Sequence, residues 1–315
     1  MLRLLKGSRP RPTEGMRVVI TGGSSGIGLA CARELSAAGA RPVLLARGEE
    51  ALERAASELD PPAGYVVADV ADAEALRAAI DQAAIMLGGL DAVISNAGAA
   101  AYGPFTEMSP DDYRRTIDIT LVGMLNTAHA ALPHLERSGG TLLIVGSIAG
   151  RIPTPWLAAY TAAKHGVRGF ARTLATELHA LGTPVTVALV APGPVDTRFF
   201  ERARSTDGRL PNKLLGVYRP QDVAAEITRM LRRPRLERNV GGAMSAVAFF
   251  DSIAPTLAVR TISPLAKLGW RRRKARPPSG PDALSDPVKE PELDGDLPSR
   301  PSVAHKLRDL TRAGR

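Results

Sequence analysis

Cysteine is nearly absent: Cys31 is the sole one among 315 residues. No intramolecular disulfide can form, and a reducing compartment is compatible with the chain. Cys31 falls in an apolar helical run, the place of a small core residue. Long hydrophobic runs are missing as well. No window reaches the roughly 18 consecutive apolar residues of a spanning helix, so none is expected. Met1-Leu2-Arg3-Leu4-Leu5-Lys6 is basic but lacks the apolar core of about 7–15 residues that marks a secretory signal. Met16 stands just before the first apolar run. Residues 1–15 therefore read as a flexible extension, and either methionine can serve as the start. No metal site is expected.

Hydrophobic residues make up 44% and charged residues 23%, the balance of a soluble globular protein. The length exceeds one average domain but suits a single α/β domain with a tail. The net charge of +9 raises nucleic acid or an anionic membrane as partners. Five of the six residues Arg271 to Arg276 are basic, so much of the excess is local, and nucleic acid is not expected.

The segment 17–20 reads as a short buried strand. It runs into Thr21-Gly22-Gly23-Ser24-Ser25-Gly26-Ile27-Gly28 and then an alanine-rich helix at 29–38. Strand, glycine turn and helix N-terminus together form a phosphate cradle: glycines allow positive φ and close approach, while free N–H groups and the helix dipole favour an anion. The next strand, 42–45, ends in Ala46-Arg47. In a doubly wound sheet this point meets an adenosine ribose. No acidic residue is there to hold a 2′-hydroxyl, and Arg47 is placed to pair with a 2′-phosphate instead. A third strand ends in Asp69-Val70, placed for an adenine amino group and ring, with Asp72 the expected cap of the next helix. The fourth ends in Ser95-Asn96-Ala97-Gly98, small residues that let backbone approach a ligand. A long helix over 111–135 carries Thr120. The fifth strand, 141–145, leads to Ser147. The sixth, 185–190, ends in Ala191-Pro192-Gly193-Pro194-Val195-Asp196-Thr197. Six alternations of strand and helix imply a Rossmann-like doubly wound parallel sheet with helices on both faces.

Tyr160 and Lys164 lie four apart on a helix, hence on one face. A phenol of pKa about 10 is a poor acid or base at neutral pH, and a nearby ammonium favours its ionised form. Ser147, at a strand end, can stand beside Tyr160 and polarise a carbonyl. A bare Tyr-x-x-x-Lys spacing is weak; its coincidence with five other motifs at strand ends gives it weight.

This constellation resembles the short-chain dehydrogenase/reductase family over about residues 16–230. The resemblance rests on the turn at 21–28, Asp69-Val70, Asn96-Ala97-Gly98, Ser147, Tyr160-x-x-x-Lys164 and Pro192-Gly193. It implies that Tyr160 is the general acid in reduction and the base in oxidation. Lys164 would tune the tyrosine and hold the nicotinamide ribose, and Ser147 would hold the substrate oxygen. Hydride would pass between the nicotinamide and a carbonyl carbon. Gly22, Ser24, Ser25, Gly26, Ile27, Gly28, Arg47, Asp69, Val70, Asn96, Ala97, Gly98, Pro192, Gly193, Val195 and Thr197 would join Tyr160 and Lys164 in holding NADP(H), with NAD(H) the alternative. The resemblance also implies a homodimer or homotetramer.

Two departures stand out. The family's usual helix asparagine, which supports a proton-relay water, is here Thr120; Asn126 is poorly placed to replace it. An altered relay is expected rather than lost activity. The chain also continues well past the family's usual end. Residues 16–242 form the expected dehydrogenase/reductase domain, 243–276 an apolar and basic extension, and 277–315 a proline- and acid-rich tail that reads as disordered. The extension, with Trp270 beside its basic cluster, either lies on an anionic membrane surface or packs against protein, over the substrate cleft or at a subunit interface. Phe199 and Phe200 sit where a lid over an apolar ligand would be. The resulting expectation is a cytoplasmic NADP(H)-dependent oxidoreductase interconverting a hydrophobic carbonyl and its alcohol, with peripheral membrane attachment an option. The alternative is a cofactor-binding sensor or membrane adaptor with little turnover.

Overall fold

A computed structural model of the chain describes residues 11–210, 216–271, 274–275 and 282–295. Seven parallel strands form the central sheet: β1 (Arg17–Thr21), β2 (Arg41–Ala46), β3 (Gly64–Val67), β4 (Ala92–Ser95), β5 (Thr141–Val145), β6 (Thr186–Pro192) and β7 (Glu237–Val240). Their order across the sheet is β7-β6-β5-β4-β1-β2-β3, every pairing parallel. The helices are α1 (Gly26–Ala37), α2 (Glu49–Ser57), α3 (Ala73–Leu87), α4 (Pro110–Ile117), α5 (Gly123–Ser138), α6 (Ala158–Ala180), α7 (Pro220–Arg232), α8 (Gly242–Ile253) and α9 (Pro255–Arg271).

Alternation along the strands sends side chains to two separate cores. Val19, Val43, Val93, Leu142 and Leu189 pack on the side of α3, α5 and α6. Ile20, Leu44, Ile94, Leu143 and Val190 pack on the side of α1, α2 and α7. Both faces are covered, so central strands such as Val18-Val19-Ile20 are continuous apolar runs. Cys31 is fully buried in the second core. Asp72 caps α3, accepting from the Glu74 and Ala75 N–H groups.

The sheet has one strand more than the six alternations read from sequence. In β7 only Val240 is apolar, and pairing with β6 makes it a strand. The helix expected over 111–135 is α4 and α5 joined by a π-helical turn, Asp118–Val122, which contains Thr120.

Parts of both terminal segments, read as a flexible extension and a disordered tail, are placed. Residues 11–15 are placed, with Arg11 donating to Thr141 Oγ1 at 3.1 Å and to the Gly139 carbonyl at 2.9 Å. Residues 282–295, inside the stretch read as disordered, run without helix or extended strand through the cleft above the sheet. Residues 1–10, 277–281 and 296–315 lie outside the described residues. Among the described residues, no helix is long and apolar enough to cross a membrane.

Candidate active site

The cleft opens at the carboxyl ends of the strands, where the parallel fold collects its loops. At the end of β1, Gly22 stands at φ +65° and Gly26 at +51°, a region glycine enters without strain. A Cβ on Gly28 would lie 2.1 Å from the Gly22 carbonyl oxygen, so the turn closes only without a side chain there. Asn96 braces it, its Nδ2 donating to the Thr21 carbonyl at 3.0 Å and the Gly22 carbonyl at 3.3 Å. The backbone N–H groups of Asn96 and Ala97 donate to Thr21 Oγ1. Asn96 thus supports the turn, while Ala97 and Gly98 line the cleft beside it. Ser24 is buried, and Ser25, the N-cap of α1, supplies no side-chain cap. First-turn N–H groups near Gly26, Ile27 and Gly28 therefore set the local field.

Arg47 follows β2 at the rim. Burial lowers its pKa most, while Asp69 acts to raise it. Asp69 follows β3 and is bound by Arg115 at 2.6 Å and by the Ala71 N–H at 2.9 Å. Burial acts to raise the Asp69 pKa, but those two donors outweigh it and hold the carboxyl below its ordinary range. Val70 is buried beside it, its carbonyl accepting from Asn126 Nδ2 at 3.0 Å. Asn126 is thereby engaged away from Ser147, on Val70.

Ser147 follows β5 and caps a short turn, accepting from the Ala149 N–H at 3.1 Å. Ser147 also stands near enough to Tyr160 on α6 to act on its phenol, lowering its pKa. One turn along, Lys164 is 4% exposed and donates from Nζ to the Val145 carbonyl at 2.8 Å. That Nζ lies 5.7 Å from the Tyr160 ring centroid. Burial pushes the Tyr160 phenol up to about 12, with Ser147 pulling it back. Burial pushes Lys164 down to about 8. Desolvation is the largest influence on both groups, and the Lys164 ammonium is held by the Val145 carbonyl.

Thr120 is 1% exposed, its hydroxyl donating to the Ala99 carbonyl at 2.8 Å and accepting from the Ala99 N–H at 3.0 Å. It fastens the backbone after β4. Pro192 ends β6, and the Gly193 N–H donates to the Val240 carbonyl at 2.9 Å. Val195 and Thr197 are buried, and Thr197 Cγ2 lies 3.1 Å from where a Cβ on Gly26 would stand. This loop closes against the glycine turn.

All the cofactor-side residues named from sequence except Gly28 border one cleft of about 610 Å³ together with Ser147, Tyr160 and Lys164. Gly28 lies just behind it, inside the turn. The far half of the cleft is apolar and includes Tyr102, Trp156, Phe199, Ile262, Leu265 and Trp270. Trp270, from α9, stacks on Trp156 with centroids 4.4 Å apart, and Phe199 lies 5.3 Å from the Tyr160 ring. Of the two placements open for the extension, one face of α9 packs over the cleft. Trp156, Tyr102 and Arg115 had no motif to mark them; Trp156 stands at φ +69°, a conformation its sequence does not announce.

The model of the short chain dehydrogenase family matches residues 16–208. The chain belongs to the short-chain dehydrogenase/reductase family. Among its relatives is an uncharacterized oxidoreductase, YxnA, of Bacillus subtilis, 32% identical over 84% of this chain and 75% of that one. Another is dehydrogenase/reductase SDR family member 7B of Bos taurus, 31% identical over 82% of this chain and 83% of that one. A crystal structure of an alcohol dehydrogenase from Thermococcus sibiricus, complexed with 5-hydroxy-NADP, is 29% identical with a TM-score of 0.65, covering 73% of this chain and 97% of that one. The chain is thus an NAD(P)-dependent oxidoreductase of this family. The positive-φ glycine cradle and adjacent guanidinium suit the phosphate end of such a dinucleotide.

Proposed function

We propose that the protein interconverts a hydrophobic ketone or aldehyde and its alcohol, with NADP(H) preferred over NAD(H). The observation that carries this reading is the gathering of Ser147, Tyr160 and buried Lys164 on one cleft, at the junction of the glycine cradle and its apolar half. When bound, the dinucleotide supplies or accepts the hydride. In reduction Tyr160 donates its phenol proton to the carbonyl oxygen and the resulting phenolate is reprotonated from solvent; in oxidation the phenolate form takes the alcohol proton. Ser147 holds that oxygen through its hydroxyl. Lys164 keeps a positive charge one turn away and steadies the strand end through Val145. Thr120 acts as a positioning residue, because its hydroxyl is already engaged with Ala99. Gly22, Ser24, Ser25, Gly26 and Ile27 hold the phosphates, with Gly28 allowing the turn to close. Arg47 selects a 2′-phosphate, and Asp69 and Val70 flank the adenine. Ala97 and Gly98 line the floor, and Pro192, Gly193, Val195 and Thr197 hold the carboxamide end.

The test pairs NADPH consumption on apolar carbonyl compounds with NADPH binding. Tyr160→Phe should abolish the first and spare the second. Turnover that survives the substitution refutes the assignment.

The second reading, a sensor or membrane-associated adaptor, draws on the outer faces of α8 and α9. Phe249, Ile253, Leu257, Val259 and Leu268 are exposed there, near Arg260, Lys267 and Arg271. Flotation with anionic liposomes tests it; failure of the full chain to float removes the membrane.

A further inference from the structure

The tail lies on the groups assigned to the cofactor. Arg47 Nη2 donates to the Ala283 and Asp286 carbonyls, both at 2.8 Å. Arg115 Nε donates to the Leu284 carbonyl at 3.1 Å. On the glycine turn itself, the Gly26 N–H donates to the Glu292 carbonyl at 2.7 Å, and Ser25 and Glu292 form a parallel bridge. The Glu292 carboxylate sits between Arg198 at 3.0 Å and Arg202 at 2.8 Å. The tail also presses on the backbone after Arg47, where a Cβ on Gly48 would lie 2.1 Å from the Val288 carbonyl oxygen. Leu284, 2% exposed, is its apolar anchor.

A carboxylate and a row of carbonyls are acceptors only, as a phosphate group is. They satisfy the helix N-terminal N–H and the guanidinium groups that an anionic dinucleotide needs. One N–H cannot serve two acceptors fully, and the space over Gly26 and Gly48 is already filled. The remaining ties include the Ala283 N–H to the Arg202 carbonyl at 2.7 Å, Arg204 Nη2 to Ser285 Oγ at 3.0 Å, and the ion pairs Arg54–Glu290 and Arg204–Asp282 near the surface. Surface ion pairs hold weakly and are screened by salt. The segment is thus well fitted yet displaceable, and its tether to α9 keeps its local concentration high whatever the protein concentration.

We propose that residues 282–295 are a built-in competitor for the adenosine and phosphate end of the dinucleotide cleft, so that docking of this segment and binding of NADP(H) exclude each other. The proposal rests on the NADP(H) reading above. The apparent cofactor affinity of the full chain is then lowered by the fraction of molecules with the segment released. Anything that captures the released segment turns the enzyme on.

Two full-length variants test this. Leu284→Asp removes the anchor from the first core, and thermal unfolding checks that the domain is intact. Its NADPH affinity, read by nicotinamide fluorescence, should rise about tenfold or more over wild type; equal or weaker affinity overturns the proposal. Leu284→Cys places a reporter thiol on the tail, because native Cys31 is fully buried and its thiol is pushed far up by burial. Maleimide modification should accelerate as NADPH is added and saturate with binding. An unchanged or slower rate means that the segment stays docked or closes over bound cofactor, which also overturns the proposal. If neither wild type nor Leu284→Asp binds NADPH, the functional reading falls and this inference with it. NADPH binding without a gain in Leu284→Asp sinks the competitor alone.

Discussion

Lys164→Met should make the protein more stable while disabling it. The lysine is 4% exposed, and burial takes its pKa from 10.5 to about 8. At about 1.4 kcal/mol per pKa step, the gap between 10.5 and about 8 is a cost of about 3 kcal/mol at neutral pH. Methionine fills similar space without charge. Its substitution leaves the Val145 carbonyl without the Nζ donor now 2.8 Å away, a loss of about 1–3 kcal/mol. The net is a gain of about 1 kcal/mol, or about 2–4 °C in Tm for a domain of this size. The pH dependence carries the sign. Above pH 8 the folded lysine releases its proton while the unfolded one keeps it, so wild-type stability rises between pH 8 and 10 and is lost again as pH falls through about 8. Above pH 10 the Tyr160 phenol, held up to about 12, acts in the opposite sense, because the unfolded chain ionises first. Thermal melts of both proteins from pH 7 to pH 10 are the assay. A Tm that drops in Lys164→Met, or parallel pH profiles, would show that Lys164 carries no desolvation strain.

Gly28→Ala should abolish cofactor binding and lower stability by about 2 kcal/mol or more, because the new methyl meets the Gly22 carbonyl oxygen at 2.1 Å; fluorescence titration and a melt read both. Arg47→Ala should cut the preference for NADPH over NADH about tenfold or more. The ratio isolates the guanidinium, since release of the tail affects both cofactors alike. Trp270→Ala removes the ring stacked on Trp156 and should raise KM for bulky apolar substrates with kcat nearly kept, because Trp270 does not touch the reacting groups.

What could be read in the sequence was local. A glycine turn between an apolar strand and a helix, and a tyrosine four residues before a lysine, follow from spacing alone. So does the strand-end position of Ser147. Contacts between distant segments were less visible. Glu237-Arg238-Asn239-Val240 has too few apolar residues to read as a strand until β6 pairs with it. The position of Thr120 was legible, but not that Ala99 takes up its hydroxyl. The burial of Tyr160 and Lys164 was not legible either, since spacing reports proximity and says nothing of desolvation. The tail has the composition of a segment with no core of its own, and it forms none. Its acceptors instead meet Arg47, more than 230 residues earlier.

The most direct test of the central claim follows NADPH absorbance during reduction of a panel of apolar ketones and aldehydes, with wild type and Tyr160→Phe compared at saturating NADPH. Consumption by wild type, reduced at least about a hundredfold in the variant while NADPH fluorescence still reports binding, is the predicted result. Equal consumption by both proteins, or NADPH bound by wild type with no member of the panel reduced, would contradict it.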